Sequence, residues 1–268
     1  MGRIDLSRCE RTDKIMKNII GAQLFTVRDY CQTKEDFEET IKKLSEIGYK
    51  AVQLSAIGNI PAKDIREICD KYGVVIPTTH RSLEEYKNNF EFSVDFHKTC
   101  GCSVPGLGGL PGWDSIKTKQ QVMNLITELN EITENFKKEG LTFAFHNHAL
   151  EFKKIDGKFI MDYFIEFGKF DFIIDVYWLA VAGLNPAKFI RENKNRIKMV
   201  HFKDLKVVNN APAICEVMEG NLDWDDIIAA SYESDAEYAF VEQDTCDNGA
   251  PFTCLETSYN NLKTKGFN

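Results

Sequence analysis

Residues 141–176 read LTFAFHNHALEFKKIDGKFIMDYFIEFGKFDFIIDV. A short apolar run, LTFAF (141–145), turns polar at His146. A segment with helical spacing follows near Phe159–Phe167, and a second apolar run, FDFII (170–174), ends at Asp175. Two short runs separated by one helix predict a strand–helix–strand unit with parallel strands.

The same cycle recurs on both sides. Upstream, NIIGAQLFTV (18–27) precedes Lys34–Ile47, where Phe37, Ile41, Leu44 and Ile47 recur at helical spacing and Gly48 closes the helix. KAVQLS (50–55) precedes Ala62–Tyr72, VVIPTTH (74–80) precedes Ser82–Thr99, and CSVPGLG (102–108) precedes Thr118–Lys138. Downstream, FDFIIDV leads to Pro186–Glu192, with Pro186 suited to a first helical turn. IKMVHFKD (197–204) then precedes Trp224–Ala230, and YAFVEQD (238–244) precedes Pro251–Lys265.

Eight such cycles predict an α/β fold, a single (β/α)₈ barrel over residues 19–268. A doubly wound open sheet is the alternative. It usually carries a glycine-rich turn after its first strand, and QLFTVRDY (23–30) has none. GLGGLPG (106–112) is glycine-rich, but no helix starts directly after it, so it reads as a rim loop rather than a phosphate cradle. Residues 1–18 are polar and aperiodic and predict an extension outside the barrel, with Met16 as an alternative start.

Composition narrows the function. A hydrophobic content of 43% over 268 residues supplies a core for one large domain. The net charge of −8 argues against nucleic acid as a partner, because phosphate backbones want a basic patch. No apolar run is long enough to span a bilayer, and no secretory signal is visible. Eight scattered cysteines without zinc or redox spacing fit reduced thiols and a cytoplasmic location.

In such a barrel the chemistry sits at the carboxyl ends of the strands. Those ends offer Gln23, Gln53, His80, then His146, His148 and Glu151, then Asp175, His201 with Lys203, and Glu242 with Asp244. For any one of them, a satisfied polar residue under the rim is the blander explanation. Four of the five histidines fall there, however, and carboxylates end the apolar runs FDFIID and YAFVE. A carboxylate at the end of a buried strand costs several kcal/mol unless it is paired or bound to a cation. Converging carboxylates with an imidazole therefore suggest a divalent metal. Mostly oxygen ligands favour Mn²⁺, with Mg²⁺, Co²⁺ or Zn²⁺ as alternatives.

HNHALEF, IIDVYWLAVAG, MVHFKD, EGNLDW and FVEQD, in that order and after the opening GAQLFTVRD, resemble the sugar phosphate isomerase/epimerase family. These are xylose-isomerase-like TIM barrels, and the likeness is to the subgroup with an H-N-H-x-x-E segment. It runs from about Ile19 to Leu262. The resemblance implies a metal held by Glu151, Asp175, His201 and Glu242, with His148 the alternative to Glu151. It implies acid–base roles for His146, His148 and Glu242, and substrate contacts from Gln23, His80, Trp178 and Lys203. Arg28 is a weaker candidate for a phosphate contact.

The activity implied is proton abstraction next to a carbonyl of a sugar or sugar phosphate. A lyase or dehydratase acting on a keto-sugar, keto-glycoside or keto-inositol uses the same chemistry, and a non-catalytic sugar-binding barrel is the further alternative. Relatives that cleave abasic DNA carry a richer histidine set than this chain has. Family resemblance also implies homo-oligomers.

Overall fold

The computed structural model describes Met16, residues 18–246 and residues 250–268. Eight parallel strands form one sheet. They are β1 Ile20–Gln23, β2 Ala51–Leu54, β3 Val75–Thr79, β4 Gly106–Leu107, β5 Ala144–His146, β6 Asp171–Asp175, β7 Ile197–Phe202 and β8 Tyr238–Val241. The order around the sheet is β3-β2-β1-β8-β7-β6-β5-β4. The two ends meet through parallel bridges between Thr78 and Val104 and between Arg81 and Leu107, so the sheet closes as the predicted (β/α)₈ barrel. Backbone hydrogen bonds Val104 N to Pro77 O (3.1 Å) and Arg81 N to Gly106 O (3.0 Å) tie that seam.

Most helices fall where the periodicity places them, and their ends show why. Thr33 caps Lys34–Ile47 through its side chain, and Thr118 forms a capping box with Gln121 at the start of Lys119–Lys138. The segment expected as one helix over 82–99 is two, Leu83–Asn88 and Phe90–Cys100. Asn89, at φ −134° and ψ 43°, leaves the helical region between them. A further helix, Val176–Val181, follows β6 without any polar turn to announce it. Two antiparallel hairpins, 154–159 and 204–215, are also additional to the sequence reading.

The larger core lies between the strands and the helices. A second cluster of Ala51, Val104, Ala144, Ile173, Met199, Tyr238 and Phe240 fills the barrel interior. It draws on strands around the whole ring, as inward-facing layers do. Phe240 fills the lumen so fully that a Cβ on Gly21 would lie 2.4 Å from its ring.

Of the expected extension, residues 1–15 and 17 lie outside the described residues. Met16 is buried in the core, and the Asn18 carbonyl accepts from Asn268 N at 2.7 Å. No helix among the described residues is long and apolar enough to cross a membrane.

Candidate metal centre

Side chains alternate along a strand, so the residue two places beyond an inward-facing one also faces inward. Beyond Gly21, Ala51, Ala144, Ile173, Met199 and Phe240 stand Gln23, Gln53, His146, Asp175, His201 and Glu242. An apolar layer thus carries a polar one directly above it, toward the carboxyl ends of the strands. Every member of that polar layer is buried.

Ligand atoms of His146, Asp175, His201 and Glu242 all lie within 4.8 Å of one another. The four come from consecutive strands, β5 to β8, and register sets Asp175 beside His201. Each is also held from outside. Asp175 Oδ1 accepts from the N–H groups of Tyr177 (2.8 Å) and Trp178 (3.2 Å), capping the helix after β6, which leaves Oδ2 for the site. Gln23 Nε2 donates to Glu242 Oε1 at 2.7 Å, while Gln23 Oε1 accepts from Phe25 N. Gln53 Oε1 accepts from His201 Nε2 at 2.6 Å.

That last bond fixes the imidazole. With Nε2 carrying the proton, Nδ1 presents its lone pair, and Nδ1 stands 2.9 Å from Glu242 Oε2. Burial holds His201 below its usual range, which favours a neutral ring with its Nδ1 lone pair toward the carboxylate. His146 Nε2 lies 3.6 Å from Asp175 Oδ2, too long for a hydrogen bond, and neither atom has a hydrogen-bond partner among the described residues. Ligands about 2.1 Å from one shared ion stand roughly 3–3.5 Å apart, so these spacings fit a metal.

Charge agrees with geometry. Burial opposes ionisation of Glu242, but Lys203 outweighs it and holds the carboxyl well below its usual range. Asp175 is likewise lowered, with Lys203 overcoming its burial. Lys203 is 1% exposed, and Nζ lies 3.1 Å from Asp175 Oδ2, 3.0 Å from Glu242 Oε2 and 3.0 Å from Asp244 Oδ1. Two ionised carboxylates against one ammonium leave the pocket net negative, and a divalent cation relieves that.

Glu151, expected as a ligand, is not one of the converging four. Strand β5 ends at His146, and a 3₁₀ turn at Leu150–Phe152 carries the Glu151 carboxylate back onto the chain. There Oε2 accepts from His148 N at 2.8 Å, and Oε1 has no hydrogen-bond partner among the described residues. Burial pushes this carboxyl up to about 7. His146 is the strand-five member of the converging group.

His148 lies beyond the strand end, its ring 5.2 Å from both Trp113 and Trp178. Burial pulls its pKa down to about 3. Gly109 (φ +147°) lies so close that a Cβ there would be 2.8 Å from His148 Nδ1.

His80 stacks 4.8 Å from His146 and 5.5 Å from His201, against the backbone of Gly108. Trp178 presents its ring 5.3 Å from Lys203 Nζ. Gln23, expected at the substrate, is placed behind Glu242 and orients it. Arg28 is occupied by the carbonyls of Phe25 and Asp244. The sequence places Asp244 at the strand-eight end without a role and does not single out Trp113. Trp113 sits on a glycine-rich loop with no periodicity to give it a direction, whereas Asp244 follows Glu242 by the two-residue step that marks this rim.

A family profile described as xylose isomerase-like TIM barrel matches residues 41–244. No curated protein matches the chain. Among solved structures, a sugar phosphate isomerase/epimerase from Parabacteroides distasonis superposes with a TM-score of 0.78 at 20% identity, covering 97% of each chain. A xylose isomerase domain containing protein from Salmonella typhimurium gives 0.69 at 13% identity, covering 94% of this chain and 98% of that one. The probable 3-DHS dehydratase involved in petrobactin synthesis from Bacillus anthracis gives 0.69 at 12%, covering 91% and 98%. At these identities the structures speak to fold alone. The profile spans most of the barrel, from the first helix to the end of the rim beyond β8, and on that match the chain belongs to the xylose isomerase-like TIM barrel family.

Proposed function

We propose that the chain is a divalent-metal-dependent isomerase or epimerase of a small sugar or sugar phosphate. His146, Asp175, His201 and Glu242 would hold the ion. The observation that most supports this is the convergence of their four buried ligand atoms within 4.8 Å of one another. When bound, such an ion polarises a carbonyl and stabilises the charge that develops as a neighbouring proton leaves. Two imidazoles with two carboxylates suit Mn²⁺, Co²⁺ or Zn²⁺ better than Mg²⁺, and we favour Mn²⁺.

Proton movement falls to other side chains. His146 and Glu242 have their lone pairs committed to the converging group, which weakens the acid–base roles expected of them. His148 is neutral, and its Nδ1 has no hydrogen-bond partner among the described residues, so its lone pair can accept a hydrogen bond from a substrate hydroxyl. Glu151, with a pKa of about 7, is poised near working pH, as a general acid or base must be. It also anchors the His148 backbone. Lys203 offers positive charge to substrate oxygens, and His80 and Trp178 offer ring faces to a sugar.

A buried carboxyl that keeps its proton near neutral pH also favours a second reading, because such a group can protonate a leaving oxygen. That reading is a lyase or dehydratase on a keto-sugar, keto-glycoside or keto-inositol. The cytoplasmic location and the homo-oligomeric state expected above belong to the same proposal. NMR in D₂O with Mn²⁺ and a panel of ketoses and 3-keto-glycosides separates the outcomes. Deuterium wash-in with mass otherwise unchanged supports the isomerase, and loss of water or aglycone supports the lyase. If no deuterium enters any compound and Asp175→Ala leaves the metal content unchanged, the chain is a sugar-binding barrel without turnover.

A further inference from the structure

The four converging residues are almost fully buried, yet His80 beside them also lines an open groove of about 870 Å³. The groove lies between the loops that follow β2 and β3, on the carboxyl-end face of the barrel. That volume is typical of a small-molecule site. One imidazole therefore has the metal centre on one side and the groove on the other.

The walls are chosen for a neutral, two-faced guest. Phe92 is 58% exposed, and Ile57 adds a second apolar surface. Ser55, Asn59, Asp95 and Thr99 supply hydroxyl-binding groups along the same lining. Arg81 is already engaged, its Nη1 paired with Glu85 Oε2 at 2.8 Å and its guanidinium over Phe96 at 3.8 Å, while Lys63 stands in solvent at the edge, 3.7 Å from Glu67. A phosphate within the groove would meet Glu85 and Asp95, with Arg81 committed to its own partners.

The groove is also pre-formed. Gly58 N donates to Cys31 O at 2.9 Å, and Gln32 Nε2 donates to Ala56 O at 2.8 Å. Gly58 passes so close to Gln32 that a Cβ would lie 1.9 Å from its carbonyl oxygen. The loop wall thus stands open without waiting for a ligand.

We infer that this groove is a second subsite, seating the far ring of an uncharged glycoside whose near ring reacts at the metal centre. The inference rests on the proposed function, and it narrows the substrate from sugars and sugar phosphates to disaccharides or ring-bearing glycosides. The exposed face of Phe92 stacks on the apolar face of the far ring, and the polar lining takes its hydroxyls.

Calorimetry with Mn²⁺-loaded protein tests it, using cellobiose, glucose and glucose 6-phosphate as probes, with NMR of the recovered sugar to check for conversion. Cellobiose is expected to bind about tenfold more tightly than glucose, the worth of one stacked ring. Phe92→Ala is expected to remove that preference, and because Phe92 is exposed the variant should keep its melting temperature. Equal binding of cellobiose and glucose, tighter binding of glucose 6-phosphate, or a preference that survives Phe92→Ala would each overturn the subsite. If no sugar binds and no ketose or keto-glycoside exchanges deuterium, the functional reading itself has failed, and the subsite falls with it. Deuterium exchange without a cellobiose preference sinks the subsite alone.

Discussion

The Lys203 ammonium stands 3.1 Å from Asp175 Oδ2, and that oxygen also lies 3.6 Å from His146 Nε2 and 3.9 Å from His201 Nδ1. A metal held by the converging four would thus compete with the lysine for the same carboxylate oxygens. Asp244, 3.0 Å from the same nitrogen, gives the lysine a place to remain when a second cation arrives.

Lys203→Met should therefore separate the two cations. Removing one member of a buried ion pair costs about 3–5 kcal/mol, because the other charges stay buried and unpaired. The metal-free variant should melt well below the wild type. Added Mn²⁺ should then raise its melting temperature by more than it raises that of the wild type, because no ammonium has to be displaced. Equal gains in the two proteins would show that Lys203 and the metal do not share ligands.

Glu151 gives stability a pH dependence of known sign. The folded carboxyl titrates near 7 and an ordinary one near 4.5, so the folded chain keeps a proton that the unfolded chain releases. Between those values the unfolded chain binds fewer protons, and stability falls as pH rises, by about 3 kcal/mol over the whole window. Glu151→Gln should abolish that fall. His97, pulled down to about 4 by burial, acts in the opposite direction, losing stability as pH drops from 6.5. The contribution of Glu151 is thus the difference between wild type and variant in denaturant midpoints at pH 5 and pH 7.5, measured without metal. A difference that does not change between the two pH values removes Glu151 as a group that titrates near neutrality.

Asp204 follows Lys203 but serves a different purpose. Its carboxylate accepts from the backbone N–H groups of Leu205, Met218, Gly220 and Leu222, and from Trp224 Nε1 at 2.6 Å. It thereby folds the EGNLDW segment over itself, and a Cβ on Gly220 would lie 2.6 Å from Asp204 Oδ1. Asp204→Asn would set an amide N–H against these donors, at a cost of about 2–4 kcal/mol. Chemical denaturation should record that loss while calorimetry finds Mn²⁺ affinity within about twofold of the wild type. A large drop in metal affinity would instead place Asp204 among the residues that build the centre.

The sequence was most legible where a strict rule applied. Asp175, His201 and Glu242 each end an apolar run, and the two-residue step above Ile173, Met199 and Phe240 places them in one layer. The segment after β5 was harder, because alternation holds only while the chain is a strand. It stops at His146, so His148 turns toward two tryptophans and Glu151 returns to the backbone. The helix at Val176–Val181 escaped notice because its cap is Asp175 itself, the last residue of the strand before it. The cap of Asn89 inside 82–99 and the hub role of Asp204 depend on contacts that close only in three dimensions.

The converging imidazoles and carboxylates come from β5 to β8, whereas the groove beside His80 is built by the segments after β2 and β3. If the metal centre and the groove act as proposed, reactivity and selectivity come from opposite arcs of one ring. Substitutions in 55–61 or 92–99 would then redraw what the protein accepts without touching what it does to it. Such a separation would let a lineage change its diet while keeping its chemistry, and it would make the loop after β2 and the helix Phe90–Cys100 the segments to exchange when retargeting the barrel.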